Sequence, residues 1–264
     1  LLVNPGDDFA GEVSFPHQGQ RVDLYDADRG RISPVAQFAE REGRTYVPLR
    51  LAHAESVAFV FTSSPRPLFV TQSSGGEFEY DENARLLARF RASGTYEVKF
   101  SNGGTRLYSV ALPPPIPVAG PWRLSVSPAQ MVSPQAPASF HAGQLVSWRG
   151  LPGLHYYAGR ATYRADVHLP EDLVRDGVGL ILDLGSLFES AKVDVNGAEA
   201  GIVYAPPYRV DITALVTSGR NVVEIEVANQ LKNHLERSAA YLRSSGLLGP
   251  VTIVPERRIR IGRP

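Results

Sequence analysis

The feature that most constrains this sequence is a series of short segments between residues 161 and 228 in which apolar and polar side chains alternate. Successive side chains of a β-strand point to opposite faces, so this alternation predicts strands with one buried and one solvated face. The apolar positions are Tyr163, Ala165, Val167 and Leu169; Val178, Leu180, Leu182 and Leu184; Ala191, Val193 and Val195; Tyr208, Val210 and Ile212; and Val223, Ile225 and Val227. Strands this close together in sequence predict an antiparallel sandwich or jelly roll.

Turn residues separate these segments. Asn196-Gly197 is a dipeptide that tolerates positive φ at both positions, which predicts a two-residue hairpin turn. One short helical turn is expected at residues 213–217. Glu224 and Glu226 alternate with buried positions and are therefore expected to face water, as surface acids usually do.

Three short motifs lie at the ends of these segments: Asp183-Leu184-Gly185, Val195-Asn196-Gly197 and Asp211-Ile212-Thr213. With them, the region resembles the galactose-binding-like jelly roll, the sugar-binding domain of family 2 glycoside hydrolases. Residues 157–163, 206–208 and 245–250 make it most similar to the C-terminal region of family 106 α-L-rhamnosidases. Residues 23–34 and 45–61 resemble an accessory β-sandwich of the same enzymes. The three motifs occur in many carbohydrate-active enzymes, so they indicate the fold better than the substrate.

The proline run at residues 112–117 indicates a domain boundary, because proline removes backbone donors and favours an extended segment. A chain of 264 residues is long enough for two ordinary domains. We therefore predict an all-β protein of two antiparallel β-sandwich domains: residues 1–112, a proline-rich linker at 113–120, and a jelly roll at 121–264. Residues 127–142 are expected to form a long surface loop. Because Leu1 opens strand-like sequence without a methionine, we expect the chain to be a piece of a longer protein.

Charge and cysteine content exclude several classes of partner and site. The 27 basic and 27 acidic residues balance, which gives no electrostatic reason to expect nucleic acid or an anionic membrane as a partner. The basic residues are scattered, except for a cluster at 257–263. Since cysteine is absent, neither a disulfide nor a thiolate metal site can form. No apolar run approaches the length of a membrane span.

No catalytic constellation is evident. A glycosidase needs two carboxyl groups facing each other across the scissile bond, and the acids here follow the pattern of solvated strand faces. No nucleophile-elbow motif occurs, and the six histidines lack the spacing of a zinc site. The acidic turns could suit calcium, although plain turn formation explains them; their residues are Asp7, Asp8, Asp26 and Asp28. We therefore expect no catalytic residue, metal or cofactor in this chain.

A sugar site would need aromatic faces for the apolar side of a ring, with amides or imidazoles for its hydroxyls. The candidates are Trp148, Tyr157, Tyr204, Tyr208, Asn229, Asn233 and His234. The alternative is that Trp148 and Tyr208 are core residues and that His234 is an ordinary surface histidine. Tyr204 is harder to assign to a core because the adjacent prolines put it on a loop or sheet edge.

The resemblance implies a non-catalytic C-terminal β-sandwich region of a bacterial glycoside hydrolase. The parent would be an α-L-rhamnosidase that cleaves terminal L-rhamnose with inversion, using calcium in a catalytic barrel domain. This chain would support that barrel as its partner and contact carbohydrate, in a periplasmic or secreted protein. Two alternatives stay open: a self-standing carbohydrate-binding module with an exposed aromatic platform, and a scaffold domain with a large apolar docking patch.

Overall fold

The computed structural model of the chain describes residues 1–26, 30–51, 55–127, 139–236 and 242–262. Its sheets are built from antiparallel strand pairs, which confirms the predicted all-β class. The chain divides into two compact units. Unit 1 comprises Leu1–Leu112 with Glu256–Pro264, and unit 2 comprises Pro113–Pro255.

Unit 1 contains the first half of the strands. They are β1 (Leu2–Val3), β2 (Phe9–Phe15), β3 (Arg21–Asp26), β4 (Arg31–Pro34), β5 (Ala39–Arg41), β6 (Arg44–Leu51), β7 (Ser56–Thr62), β8 (Val70–Ser73), β9 (Glu77–Tyr80), β10 (Leu86–Phe90), β11 (Gly94–Phe100) and β12 (Thr105–Val110).

The remaining described strands begin in unit 2, where the described residues also form the α-helix α1 (Lys232–Glu236) and the 3-10 turns Trp148–Gly150 and Glu171–Leu173. They are β13 (Ile116–Pro117), β14 (Trp122–Val126), β15 (Ser139–Ala142), β16 (Arg160–Leu169), β17 (Val178–Asp183), β18 (Ser186–Phe188), β19 (Ser190–Val195), β20 (Ala198–Val203), β21 (Arg209–Asp211), β22 (Gly219–Ala228), β23 (Gly246–Gly249) and β24 (Thr252–Ile261).

Unit 1 is built from small sheets around two clusters of buried side chains. The strand orders are β1-β7-β3-β4, β2-β6-β5 and β12-β11-β8, while β9 pairs with β10. The smaller cluster consists of Val22, Phe38, Val47 and Phe69. The larger cluster consists of Ala36, Val70, Leu86, Ala88, Phe90, Val98, Phe100, Val110 and Ile261.

The main sheet of unit 2 has the order β15-β14-β16-β22-β19-β20. Its centre is the pair β16–β22, whose ten-residue strands stay in register from Arg160–Ala228 to Leu169–Gly219. Alternate residues of both strands are buried, as the sequence pattern predicts. On the other face, Glu224 and Glu226 are half-buried and form ion pairs with Arg164 and Arg160 at 2.8 and 3.3 Å.

A second layer covers the buried face of this sheet. It contains β17 paired with β21 and β18 paired with β23. Residues of β17 and β16 belong to the same core cluster, including Leu180, Leu182 and Tyr163, so the two layers pack on one another. β17 is buried on both faces, because Ile181 is only 6% exposed.

The predicted linker at residues 113–120 is part of the fold of unit 2. Ile116 and Pro117 form β13 and pair with Ile253 and Thr252 of β24. Val118 is buried, and its amide donates to the Val251 carbonyl oxygen at 2.9 Å. The proline-rich residues 113–120 therefore contribute a paired strand and a buried side chain to unit 2. In the predicted loop at 127–142, residues 139–142 form β15, and residues 128–138 lie outside the described part of the chain.

The end of the chain differs from the predicted division, which assigned all of 121–264 to the second domain. Residues 257–261 of β24 pair with β10, so Glu256–Pro264 belongs to unit 1. The basic cluster at 257–263 is partly neutralised there. The fully buried Glu256 carboxylate accepts from Arg91 Nε at 3.1 Å and from Arg258 Nε at 2.8 Å.

Of the two predicted turns, the structure confirms the one at Asn196-Gly197 and differs at residues 213–217. At Asn196-Gly197 the φ angles are 52° and 81°, which confirms the hairpin turn with positive φ at both positions. The Asn196 side chain does more than form the turn, because its Nδ2 donates to the Leu215 carbonyl oxygen at 2.9 Å and its Oδ1 accepts from the Val222 amide at 2.9 Å. The helical turn expected at residues 213–217 is wrong, because these residues form a non-helical turn.

Replacing Gly197 with valine should lower the free energy of unfolding of unit 2 by about 1 kcal/mol or more, since a β-branched residue is strained at positive φ. Gly197→Asn is the matched control, because asparagine adopts positive φ more readily than valine. Urea unfolding of both variants measures the difference. An unchanged midpoint for Gly197→Val would contradict the assigned turn.

Candidate functional site

Trp148 and Tyr157, two of the predicted sugar-binding aromatics, lie in the core of unit 2. Trp148 is 0% exposed, and its Nε1 donates to the Tyr163 hydroxyl. Tyr157 packs edge-on against Trp148, with 5.4 Å between ring centroids, and its hydroxyl donates to the Arg160 carbonyl oxygen at 2.6 Å. Burial raises the pKa of Tyr157 and raises that of Tyr163 to about 12. Neither Trp148 nor Tyr157 presents a face to a ligand, so both are core residues.

The side chains of Asn229 and Asn233 form hydrogen bonds that connect separate backbone segments. The Asn229 side chain accepts from the Gly159 amide at 2.9 Å and donates to the Tyr157 carbonyl oxygen at 2.8 Å. Asn233 is buried, and its amide group exchanges two hydrogen bonds with the backbone of Arg243, at 2.8 and 2.9 Å. Because these bonds use both ends of each amide, we assign Asn229 and Asn233 a structural role.

The three other predicted residues are more accessible. Tyr204 follows β20 and is 58% exposed. His234 is half-buried on α1. Tyr208 is half-buried, packs against the core cluster, and also lines a groove in the surface of unit 2. Tyr208 is the one predicted site residue among the groove's lining residues.

We call this groove the Phe188 groove. Its volume is about 410 Å³, and it is lined by Asp183, Gly185, Ser186, Leu187, Phe188, Pro206, Pro207, Tyr208 and Arg209. Phe188 is 37% exposed, whereas the preceding Leu187 is buried and anchors β18 to the core. The groove therefore has an exposed aromatic ring on a fixed strand.

Strand pairing places the charged residues of the groove. Asp183 and Arg209 are directly opposite each other in the β17–β21 pair, and Arg209 Nε lies 2.7 Å from Asp183 Oδ2. Asp183 Oδ1 also accepts from the Gly185 amide at 2.9 Å. An ion pair with this much exposure adds about 1 kcal/mol of stability at most. Its larger consequence is that the two charges cancel at one edge of the groove.

Glu189 adjoins the groove next to Phe188. Its Oε2 accepts from Gln230 Nε2 at 2.6 Å, so its partner is a neutral amide. Burial and then the negative charge of Glu189 raise the pKa of Tyr208. Among the described residues, the charged groups in the groove lining are Asp183 and Arg209, and Glu189 follows Phe188 in the chain. Together these three carry a net charge of about −1 when all are ionised.

The sequence patterns did not single out Phe188 or Arg209, and they included Asp183 only as the first residue of the motif at 183–185. Asp183 was interpreted as an ordinary outward-facing acid, and nothing local marks Arg209 as its partner. The sequence held one indication of the groove. Residues of two motifs used for the resemblance, at 183–185 and 206–208, line its walls.

Metal binding has no support in the described ranges, where no cluster of three or more histidine, aspartate or glutamate side chains could hold an ion. Of the acidic turns considered for calcium, Asp28 lies outside the described residues. Within those ranges no helix is long and apolar enough to cross a membrane.

Replacing Gly185 with alanine should destabilise unit 2 by about 1–3 kcal/mol, because overpacking is costly where backbone cannot move. Gly185 has φ +63°, and an added Cβ would lie 2.5 Å from the Gly249 carbonyl carbon. Gly150→Ala is the control, since its Cβ would meet nothing within 4 Å. Equal melting temperatures for the two variants would show that this close approach is not required.

Comparisons with known proteins agree on a class of enzyme. No family model matches the chain. The chain is 31% identical over 145 residues to a curated protein described as "Putative beta-glucuronidase" from Formosa agariphila, covering 54% of the chain and 12% of that protein. Among solved structures, a rhamnosidase from Novosphingobium sp. PP1Y matches with a TM-score of 0.64 and 25% identity. That match covers 97% of the chain and 22% of the rhamnosidase chain.

The chain therefore spans less than a quarter of the length of either protein. Both likenesses support the coarser part of the resemblance read from the sequence. The chain is similar to the β-domains of glycoside hydrolases.

Proposed function

We propose that this chain is a non-catalytic β-sandwich region of a glycoside hydrolase and that it supports a separate catalytic domain of the same parent protein. The parent would act on terminal L-rhamnose. The observation that carries this proposal is the match to the Novosphingobium rhamnosidase, because it extends over 97% of the chain and through both units.

The carboxylates near the Phe188 groove support the non-catalytic part of the proposal. Glycoside hydrolysis uses two carboxyl groups that flank the scissile bond, one of which delivers a proton. Asp183 lines the groove, but its two oxygens already accept from Arg209 and from the Gly185 amide. Glu189 accepts from Gln230. Hydrogen-bond donors of this chain therefore already engage both carboxylates, which supports a role for them in the fold.

The curated match favours a second substrate for the parent protein, since the protein from Formosa agariphila is described as a beta-glucuronidase. That match covers 54% of the chain, against 97% for the rhamnosidase. We therefore prefer rhamnose. The full-length parent should release p-nitrophenol from the aryl α-L-rhamnoside and not from the aryl β-D-glucuronide; the reverse result would favour the second substrate.

The isolated chain should not hydrolyse p-nitrophenyl α-L-rhamnoside above the rate in buffer. Asp183→Asn and Glu189→Gln are the matched variants, because Asp183 lines the groove and Glu189 directly follows its residue Phe188. Turnover by the purified chain that falls in either variant would contradict the non-catalytic role. Turnover that is unchanged in both would indicate a contaminating enzyme.

A further inference from the structure

We propose that the Phe188 groove is a binding site for a single neutral saccharide ring. This goes beyond the supporting role proposed above, because a region that supports a catalytic domain need not bind sugar.

The size and walls suit one ring. A volume of about 410 Å³ lies near the small end of the range for ligand pockets. Its apolar wall combines the exposed Phe188 ring with Pro206, Pro207 and the half-buried Tyr208. Such a wall can pack against the C–H face of a pyranose, which is the part of a sugar that water solvates least well.

Polar groups with unused hydrogen-bonding capacity lie beside this wall. Arg209 uses Nε for Asp183, and its Nη groups donate to no residue that the structure describes. The hydroxyls of Ser186 and Tyr208 likewise have no hydrogen-bond partner within the described ranges. The Asp183 oxygens each accept one bond and retain a lone pair. The groove thus offers both donors and acceptors, as the hydroxyl groups of a sugar require.

Charge selects between classes of sugar. Arg209 is neutralised by Asp183, while Glu189 has only a neutral partner, so the local field disfavours an added carboxylate. A neutral sugar meets no such penalty. A uronic acid should therefore bind more weakly than a neutral sugar of the same ring size.

The groove is also preformed. Its walls are held by the β17–β21 and β18–β23 pairs, and Gly185 lies against the backbone of Gly249. A site that needs no ordering on binding does not lose affinity to that cost.

The test is a titration of the ¹⁵N-labelled chain followed by NMR, with methyl α-L-rhamnoside and methyl β-D-galactoside as neutral probes and sodium glucuronate as the charged probe. We expect saturable shifts at residues 183–188 and 206–209 with at least one neutral probe, and binding of glucuronate about tenfold weaker. No saturable shift with either neutral probe up to about 100 mM, or tighter binding of glucuronate, would overturn the proposal.

Three variants locate the site. Phe188→Ala should weaken binding by about tenfold, which is the typical effect of losing one aromatic contact. Ser186→Ala removes an exposed hydroxyl that bonds to no described residue, and it should weaken binding about threefold or more. Tyr204→Ala is the control, an exposed aromatic outside the groove lining. Loss of binding in Tyr204→Ala, with Phe188→Ala and Ser186→Ala unchanged, would place any sugar site elsewhere and contradict the proposal.

Discussion

The in-register pairing of β16 with β22 is the interaction on which the rest of unit 2 depends. These strands alternate buried and polar residues over ten positions, so their pairing places one continuous apolar surface against the second layer. A shift of one residue would turn every core side chain toward solvent, which fixes the register strongly. The Glu224–Arg164 and Glu226–Arg160 pairs on the opposite face match the same register. β14 and β19 add to the outer edges of this pair.

The three motifs at 183–185, 195–197 and 211–213, on which the resemblance rests, stabilise turns at the ends of the strands. Asp183 accepts from the Gly185 amide, and Gly185 allows the backbone to approach Gly249. Asp211 accepts from the amide and hydroxyl of Thr213 at 3.0 and 2.6 Å, and the Thr213 hydroxyl accepts from the Leu180 amide at 2.9 Å. These contacts join neighbouring strands and turns. This explains why such motifs can indicate the fold across enzymes with different substrates.

Sequence patterns predicted the features that depend on residues close together in the chain. The alternation of apolar and polar residues predicted the strands and the buried face of β16, and the dipeptide Asn196-Gly197 predicted the hairpin turn. Both features depend on residues that are adjacent in the sequence. The Asp183–Arg209 pair could not be predicted in this way, since its residues become neighbours only through the β17–β21 register. The last strand shows the same limit, because its pairing partner β10 is far away in sequence. Burial of Trp148 and Tyr157 likewise depends on packing that no local pattern encodes.

Unit 2 is a β-sheet scaffold with a groove in its surface, where we propose that a saccharide binds. Exposed aromatic and polar groups lie on strands whose positions the core determines, so the groove can hold a ligand without rearranging. The most direct test is a crystal structure of the chain soaked with p-nitrophenyl α-L-rhamnoside. We predict an intact glycoside with its sugar ring against Phe188 and its hydroxyls within hydrogen-bonding distance of Arg209 or Ser186. A cleaved product in the groove, or a ring bound elsewhere with the groove empty, would contradict the account.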